Sequence, residues 1–150
     1  MNMNRMALLA WVFLVSNTTK GFFQEVKYLI TKVEEVSAEV LRDELASDPE
    51  IILINVLSQR AHKDCRIHRS VSIPFDHLKR KVKDWPRDRK IVVHCASYSC
   101  PLSRHAYRLL TGLGFSNVRA YEGGLREWMQ KGYSVRGKCR AGYLRKDKSE

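Results

Sequence analysis

The chain has 150 residues, of which 44% are apolar and 29% charged. These values are typical of one globular domain with room for a short segment at either end, and they exclude wholesale disorder and collagen-like repeats. No apolar run is long enough to predict a stable transmembrane span. The net charge is +11, and residues 60–108 alone hold 13 basic against 4 acidic side chains. This surplus favours an anionic partner, unless it is only a solvated face that keeps the protein soluble.

Strand and helix patterns alternate along the chain. Two continuous apolar runs, residues 51–56 and 91–94, are typical of strands buried on both faces. Ser37 and Ser58 are suitable helix caps, and Pro101 is suited to the start of a helix. The predicted elements are strand 28–33, helix 38–46, strand 51–56, a short helix after Ser58, strand 71–73, helix 76–82, strand 91–94, helix 101–111, strand 117–121 and helix 125–130. This alternation predicts an α/β domain with a parallel sheet, over residues 30–133.

Both ends of the chain differ from the predicted domain. Residues 1–21 carry one Arg, an apolar run and then polar residues, which favours either a secretory signal or a hydrophobic helix that docks or oligomerises. The first interpretation predicts export to the periplasm or cell envelope, and the second predicts a cytoplasmic protein. Residues 134–150 are basic and have little to bury, so we expect a flexible tail. Its charges are weak evidence for nucleic-acid binding, and we expect no specific nucleic-acid partner.

The four cysteines, Cys65, Cys95, Cys100 and Cys139, are too few for a disulfide scaffold in a chain of this length. Their spacing contains no Cys-x-x-Cys pair, so we predict neither a metal site nor a cofactor. Cys95 and Cys100 stand out because they lie in a short loop, residues 95–101, between a predicted buried strand and a predicted helix.

Ligands of open α/β sheets bind at the carboxyl ends of the strands, which is the position of this loop. Backbone N–H groups and the helix dipole converge there, so we expect a lowered pKa for the Cys95 thiol and a nucleophilic role for it. The alternative is a small buried cysteine that fills the end of the strand.

Three blocks of the sequence resemble a single rhodanese (sulfurtransferase) domain. The first comprises Ile52-Leu-Ile-Asn-Val56 and Cys65-Arg-Ile-His-Arg-Ser-Val-Ser-Ile-Pro74. The second is Val92-Val-His-Cys95 with Ala106-Tyr-Arg-Leu-Leu-Thr-Gly-Leu-Gly-Phe115, and the third is Asn117-Val118 with Tyr121-Glu-Gly-Gly-Leu-Arg-Glu-Trp128. The resemblance implies three α/β/α layers around a five-stranded parallel sheet. It also implies that Cys95 accepts a sulfane sulfur as a persulfide and passes it to a nucleophile.

The sequence departs from this family in several places, and its active-site loop is a longer variant with a Cys-x4-Cys pair, Cys95 and Cys100. Asn55 replaces the usual Asp, and Cys65-Arg66-Ile67 replaces Gly-His-Ile. A related phosphatase branch has an Arg six positions after the Cys, where this chain has Pro101, and the nearest arginine here is Arg104. Because Pro cannot make the bidentate phosphate contacts of Arg, phosphatase and arsenate-reductase activities are disfavoured.

The remaining site residues follow from the loop and the resemblance. Cys100 either resolves an oxidised or persulfidated Cys95 or packs behind the loop. Cys65 is expected near the mouth of the site, and Arg66, Arg69 and Arg104 either steer an anionic donor or are solvated charges. His94 and Trp128 are expected in the core. The predicted catalytic residues are Cys95 and Cys100, and the predicted substrate-binding residues are Ala96, Ser97, Tyr98, Ser99, Arg104, Arg66 and Cys65.

The sequence thus predicts a sulfurtransferase that moves sulfur from a small anionic donor, such as thiosulfate or polysulfide, to a thiol or cyanide. A thiol reductant or a persulfide carrier protein is a further expected partner. The alternatives are a rhodanese-like binding module without activity and a thiol-disulfide redox protein that uses Cys95 and Cys100.

Overall fold

The computed structural model describes residues 32–145. Among these residues, four parallel strands form the central sheet in the order β3-β1-β4-β5: β1 (Ile52–Asn55), β3 (Val71–Ser72), β4 (Ile91–His94) and β5 (Val118–Tyr121). The helices are α1 (Ala38–Ser47), α2 (Gln59–Asp64), α3 (Phe75–Lys81), α4 (Leu102–Gly112) and α5 (Gly124–Gln130). An antiparallel pair, β2 (Cys65–Ile67) and β6 (Val135–Gly137), and a 3-10 helix at Gly142–Leu144 complete the described part.

Helices cover both faces of the sheet, as the three-layer prediction requires. On one face, Leu41 of α1 and Leu125 of α5 pack with Leu53 of β1. On the other face, Leu78 of α3 and Leu110 of α4 pack in the second hydrophobic cluster. The prediction of an α/β domain with a parallel sheet is therefore confirmed.

The number of strands differs from the prediction. The expected first strand, residues 28–33, lies almost entirely outside the described residues. Next to β5, Glu35 forms one parallel bridge with Ala120, and the Val36 N–H donates to the Ala120 carbonyl at 3.0 Å. A single bridge is too short to count as a strand, so the described sheet has four strands where the resemblance implied five.

Local sequence signals explain where the main helices begin. The Ser37 hydroxyl accepts a hydrogen bond from the Val40 N–H, and the Ser58 hydroxyl accepts one from the Ala61 N–H, so both serines are N-caps as predicted. Pro101 is the N-cap residue of α4. In α4, Ala106, Tyr107 and Leu110 form the buried face that holds this helix against the sheet. Pro101 thus marks the start of α4, directly after the loop that follows β4.

The C-terminal segment is ordered as far as the structure describes it, in contrast to the flexible tail expected from its charge. A disulfide joins Cys139 to Cys65, and β6 pairs with β2 from Val135 to Gly137. Residues 135–145 therefore form an arm that is attached to the domain, while residues 146–150 and the expected signal segment at 1–21 lie outside the described residues. Within residues 32–145 no helix has the length and hydropathy needed to cross a membrane.

Candidate functional site

The loop at residues 95–101 connects the carboxyl end of β4 to the N-terminus of α4. Because β4 lies between β1 and β5, this loop is close to the middle of the sheet edge. Ligands of parallel α/β sheets bind at this edge, so the structure places Cys95 where the sequence predicted it.

The Cys95 thiol is fully buried and donates hydrogen bonds. Its Sγ lies 3.2 Å from the Cys100 carbonyl oxygen, 3.4 Å from Ser103 Oγ and 3.8 Å from the Ser97 carbonyl oxygen. Carbonyl oxygens stabilise a protonated thiol and repel a thiolate. A hydrogen bond to Cys100 and burial together raise the pKa of Cys95 well above its usual range. The expectation of a lowered pKa at Cys95 was therefore wrong for the reduced protein.

The lowered pKa belongs to Cys100, which is partly exposed. The hydrogen bond from Cys95 is the largest cause, and the backbone N–H groups of Leu102 and Ala96 and the charge of Arg104 act in the same direction, against the effect of burial. The loop therefore favours negative charge on the partly exposed Cys100 over the buried Cys95. The sequence contained a signal for this arrangement, since Cys100 directly precedes Pro101 and so lies nearer the start of α4 than Cys95 does.

A buried polar path continues from Cys95 to Ser103 in α4 and to Glu122, the residue directly after β5. Ser103 is fully buried and donates from Oγ to Glu122 Oε1 at 3.3 Å. The other carboxylate oxygen of Glu122 pairs with Arg104 Nε at 2.8 Å, and Arg104 Nη2 donates to the Tyr98 carbonyl at 3.1 Å. Burial raises the pKa of Glu122, and the charge of Arg104 opposes this shift. Arg104 thus contacts the loop as predicted, but it is already paired with a carboxylate.

The N-terminus of α5 supports the loop from behind. The Leu125 N–H donates to the Cys95 carbonyl at 3.1 Å, and the Arg126 N–H donates to the Ala96 carbonyl at 2.9 Å. Gly124 has φ +60°, and a Cβ atom there would lie 2.6 Å from the Cys95 carbonyl oxygen. Only glycine fits this close approach, so Gly124, which the sequence offered only as part of the third block of the resemblance, is a site residue.

The other predicted loop residues form the outer rim. The hydroxyls of Ser97 and Ser99 are 2.9 Å apart. Tyr98 is 60% exposed, and its hydroxyl donates to Glu127 Oε2 at 3.2 Å. The loop therefore presents a tyrosine ring to solvent at the mouth of the site.

The structure does not bring the residues of β2 into the loop. Cys65 is fully buried and bonded to Cys139, so it is not a free thiol and cannot act as a third participant in the chemistry. Arg66 lies opposite Arg136 in the β2–β6 pair and makes no hydrogen bond to the loop within the described residues. Arg69, expected to steer the donor, instead donates to the carbonyl oxygens of Leu45, Asp48 and Pro49 and so supports the end of α1.

His94 is fully buried, as expected of a core residue, but it is not fully hydrogen-bonded. Its Nδ1 donates to the Cys95 carbonyl at 3.2 Å, while Nε2 has no partner among the described residues. Burial lowers the pKa of His94 to about 4, so the ring is neutral at physiological pH. Trp128 is in the core, as predicted. No group of three metal-ligating side chains occurs within residues 32–145.

Comparisons with known proteins agree with this geometry. A curated protein named sulfurtransferase, from Allochromatium vinosum, is 23% identical over 103 residues, which are 69% of this chain and 94% of that protein. The crystal structure of a rhodanese-related protein from Thermoplasma volcanium is 28% identical, covers 69% of this chain and 97% of the other, and has a TM-score of 0.60. The BH2092 protein of Bacillus halodurans, at 20% identity, shares the fold with a TM-score of 0.67 over 89% of this chain and 94% of its own.

The model of the rhodanese-like domain matches residues 37–131. This match contains β1, β4 with the Cys95 loop, and the Gly124 turn against which the loop packs. The chain belongs to the rhodanese-like domain family.

Proposed function

We propose that this protein is a sulfurtransferase that carries a sulfane sulfur as a persulfide on Cys95. The sulfur comes from a small anionic donor, such as thiosulfate or polysulfide, and goes to a thiol or to cyanide. The observation that supports this most directly is the position of Cys95 at the carboxyl end of the central strand, within 3.4 Å of a hydroxyl that can take its proton. The similarity to a protein named sulfurtransferase supports the same class of reaction.

The proposed reaction has two nucleophilic steps. The Cys95 thiolate attacks the outer sulfur of thiosulfate, the S–S bond of the donor breaks, and sulfite leaves with the electron pair. The thiolate of the acceptor then attacks the outer sulfur of the persulfide, and Cys95 is regenerated as a thiolate. Because Cys95 is fully buried in the reduced protein, its Sγ must turn toward the mouth of the loop before the donor can reach it.

Cys100 allows a second reaction at this site, the formation of a disulfide with Cys95. When one of the two cysteines carries a persulfide, the thiolate of the other can attack its inner sulfur. The two cysteines then form a disulfide, and hydrosulfide leaves. A thiol reductant is then needed to restore the dithiol. The Cys95 sulfur lies 3.2 Å from the Cys100 carbonyl oxygen, and each cysteine side chain shifts the pKa of the other, so their closeness favours this thiol-disulfide activity as the second candidate function.

Phosphoryl transfer is disfavoured by the arrangement of the loop. The position six residues after Cys95 is Pro101, which has no side-chain donor. The guanidinium of Arg104 pairs with Glu122 at 2.8 Å and donates to the Tyr98 carbonyl, so it is already held by groups of the protein. A phosphate in the loop would lack the bidentate Arg contact that this chemistry uses.

The proposed function can be tested by intact mass measurement after treatment of the reduced protein with thiosulfate, followed by peptide mapping. We expect a gain of one sulfur, about 32 Da, on Cys95. Cys100→Ser is the matched control, since it keeps Cys95 and should still accept sulfur, whereas Cys95→Ser should lose turnover and remain folded. A loss of two hydrogens linking Cys95 to Cys100 would instead indicate the redox protein, and no change in mass would indicate a binding module.

We also propose that the protein acts in an oxidising compartment outside the cytoplasm. Two observations support this: the signal-like pattern of residues 1–21, and the disulfide between Cys65 and Cys139. Trapping of free thiols in whole cells by rapid alkylation tests it. An oxidised Cys65–Cys139 pair is expected, and two alkylated cysteines at these positions would contradict export.

A further inference from the structure

Cys95, Ser103 and Glu122 form a continuous hydrogen-bonded path inside the domain. The thiol donates to Ser103 Oγ at 3.4 Å, and that hydroxyl donates to Glu122 Oε1 at 3.3 Å. Cys95 and Ser103 are fully buried, and Glu122 is 6% exposed. Such a path leads from a reacting sulfur to a carboxylate that can hold a proton, and the family resemblance assigned no role to Ser103 or Glu122.

The buried thiol needs this path because its other neighbours cannot remove the proton. The carbonyl oxygens of Ser97 and Cys100 accept hydrogen bonds but do not take up a proton at neutral pH. The Cys100 sulfur can take the proton, but then the proton stays within the dithiol, and a Cys100 that has itself reacted can no longer accept it. Ser103 is the remaining neighbour that can pass a proton onward, since a hydroxyl both donates and accepts.

The surroundings of Glu122 suit a proton acceptor. Burial raises its pKa, and the charges of Glu35, from the segment before α1, and of Cys100, from the loop, act in the same direction. Arg104 and Ser103, both on α4, lower it. The Arg104 guanidinium also holds Oε2 at 2.8 Å, which leaves Oε1 facing Ser103. The carboxylate is thus fixed in orientation and is a stronger base than an exposed one.

We propose that Glu122, acting through the hydroxyl of Ser103, takes the proton of Cys95 when this sulfur reacts and returns it at the end of the cycle. This inference rests on the proposed function. As Cys95 attacks the outer sulfur of the donor, its thiol proton moves to Ser103 Oγ while the hydroxyl proton moves to Glu122 Oε1. When the acceptor removes the sulfur, Cys95 leaves as a thiolate and the same two protons move back. Ser103 contacts the reacting sulfur, and Glu122 is a positioning residue that acts through it.

The test is the pH dependence of alkylation of Cys95 by iodoacetamide, followed by peptide mapping that separates Cys95 from Cys100. Ser103→Ala and Glu122→Gln should slow the labelling of Cys95 at least about tenfold near neutral pH, because removal of a proton by a positioned base typically contributes about 10²–10⁴-fold to a rate. Labelling of Cys100 in the same molecules is the internal control. It should change much less, because the backbone N–H groups that face this sulfur remain. Ser103→Thr keeps the hydroxyl and should restore most of the Cys95 rate.

Equal labelling rates of Cys95 in the wild type and in Ser103→Ala at every pH would overturn the inference. A loss in Ser103→Ala that Ser103→Thr fails to restore would also overturn it, because it would indicate a packing role. If Glu122→Gln does not fold, Ser103→Ala carries the test, since it removes one oxygen from a fully buried position. Alkylation uses no sulfur donor, so it tests the proton path separately from the proposed function. If the variants are labelled slowly but the wild type accepts no sulfur from thiosulfate, the proton path stands and the sulfurtransferase function is rejected.

Discussion

The disulfide between Cys65 and Cys139 should supply a large part of the stability of this domain. It joins positions that are 74 residues apart in sequence. In the chain-entropy model, closing a loop of this length destabilises the unfolded state by about 4.4 kcal/mol at 25 °C. A domain of this size has a total stability of about 5–15 kcal/mol, so we expect Cys139→Ser to remove about a third or more of it.

Several contacts hold the C-terminal arm beside the disulfide and should remain in the variant. The Cys139 N–H donates to the Asp64 carbonyl at 2.9 Å, and the Asp64 carboxylate accepts from the backbone N–H groups of Arg140 and Ala141, each at 3.0 Å. Gly137 packs so closely on the Asp64 carbonyl that a Cβ atom there would lie 2.2 Å away. Because these contacts keep the arm in place in the folded state, the main effect of the substitution should be on the unfolded chain.

Urea unfolding measures this effect. The midpoint should fall for Cys139→Ser and, by a similar amount, for the wild type under a phosphine reductant. The matched control is the reductant applied to Cys139→Ser, where it should not change the midpoint. A difference below about 1 kcal/mol between the oxidised and reduced wild type would refute the loop-closure argument, since the chain-entropy model requires about 4.4 kcal/mol.

Two further predictions follow from backbone and side-chain burial near the loop. His94 has its pKa lowered from 6.5 to about 4, so the unfolded chain binds the proton more readily. Stability should therefore fall as pH drops from about 6.5 to about 4, by about 3 kcal/mol from this group, and His94→Gln should show a smaller pH slope in urea unfolding. Gly124→Ala should slow alkylation of Cys95 and destabilise the fold, because its Cβ would clash with the Cys95 carbonyl. Gly114→Ala, which also has positive φ but open space around its Cβ, should cost about 1–2 kcal/mol and leave Cys95 labelling unchanged.

Much of the central domain could be predicted because its signals are local. The strand 91–94 has the predicted bounds, and the predicted caps Ser37 and Ser58 both make their expected hydrogen bonds. A strand buried on both faces gives an apolar run, and a cap is a single residue next to a helix. Neither signal depends on a distant part of the chain.

The arm at residues 135–145 could not be predicted in the same way. The strands β2 and β6 have three residues each, too few to give a periodic pattern. Their pairing joins residues about 70 positions apart, and Cys65 was assigned by resemblance to a place near the mouth of the site. The spacing of Cys65 and Cys139 in the sequence does not show whether the two residues lie close together in the fold. The disulfide depends on tertiary contacts, which cannot be predicted from local sequence patterns.

The distribution of charge between Cys95 and Cys100 was missed for a different reason. The prediction assumed that backbone N–H groups and the helix dipole act equally at every position of the loop. Under that assumption they lower the pKa of any thiol in the loop. In the structure the side-chain interaction between Cys95 and Cys100 contributes most to the difference, and the loop has two sides: carbonyl oxygens lie near Cys95, while the N–H groups of Ala96 and Leu102 face Cys100. A strand–loop–helix pattern gives the position of a nucleophile but not the direction of each peptide group around it.

This two-sided loop also explains why Ser103 and Glu122 matter to either candidate function. A buried thiol among carbonyl oxygens is unreactive until its proton leaves, whether the product is a persulfide on Cys95 or a disulfide with Cys100. The sulfurtransferase and the redox protein therefore require the same proton path, and they differ only in which sulfur of a persulfide is attacked next. Attack on the outer sulfur passes the sulfur on, whereas attack on the inner sulfur closes the disulfide and releases hydrosulfide. Cys100→Ser removes the second route and also changes the pKa of Cys95, so the decisive result is whether sulfur is still transferred to an added thiol: transfer by this variant would assign the disulfide to a side reaction.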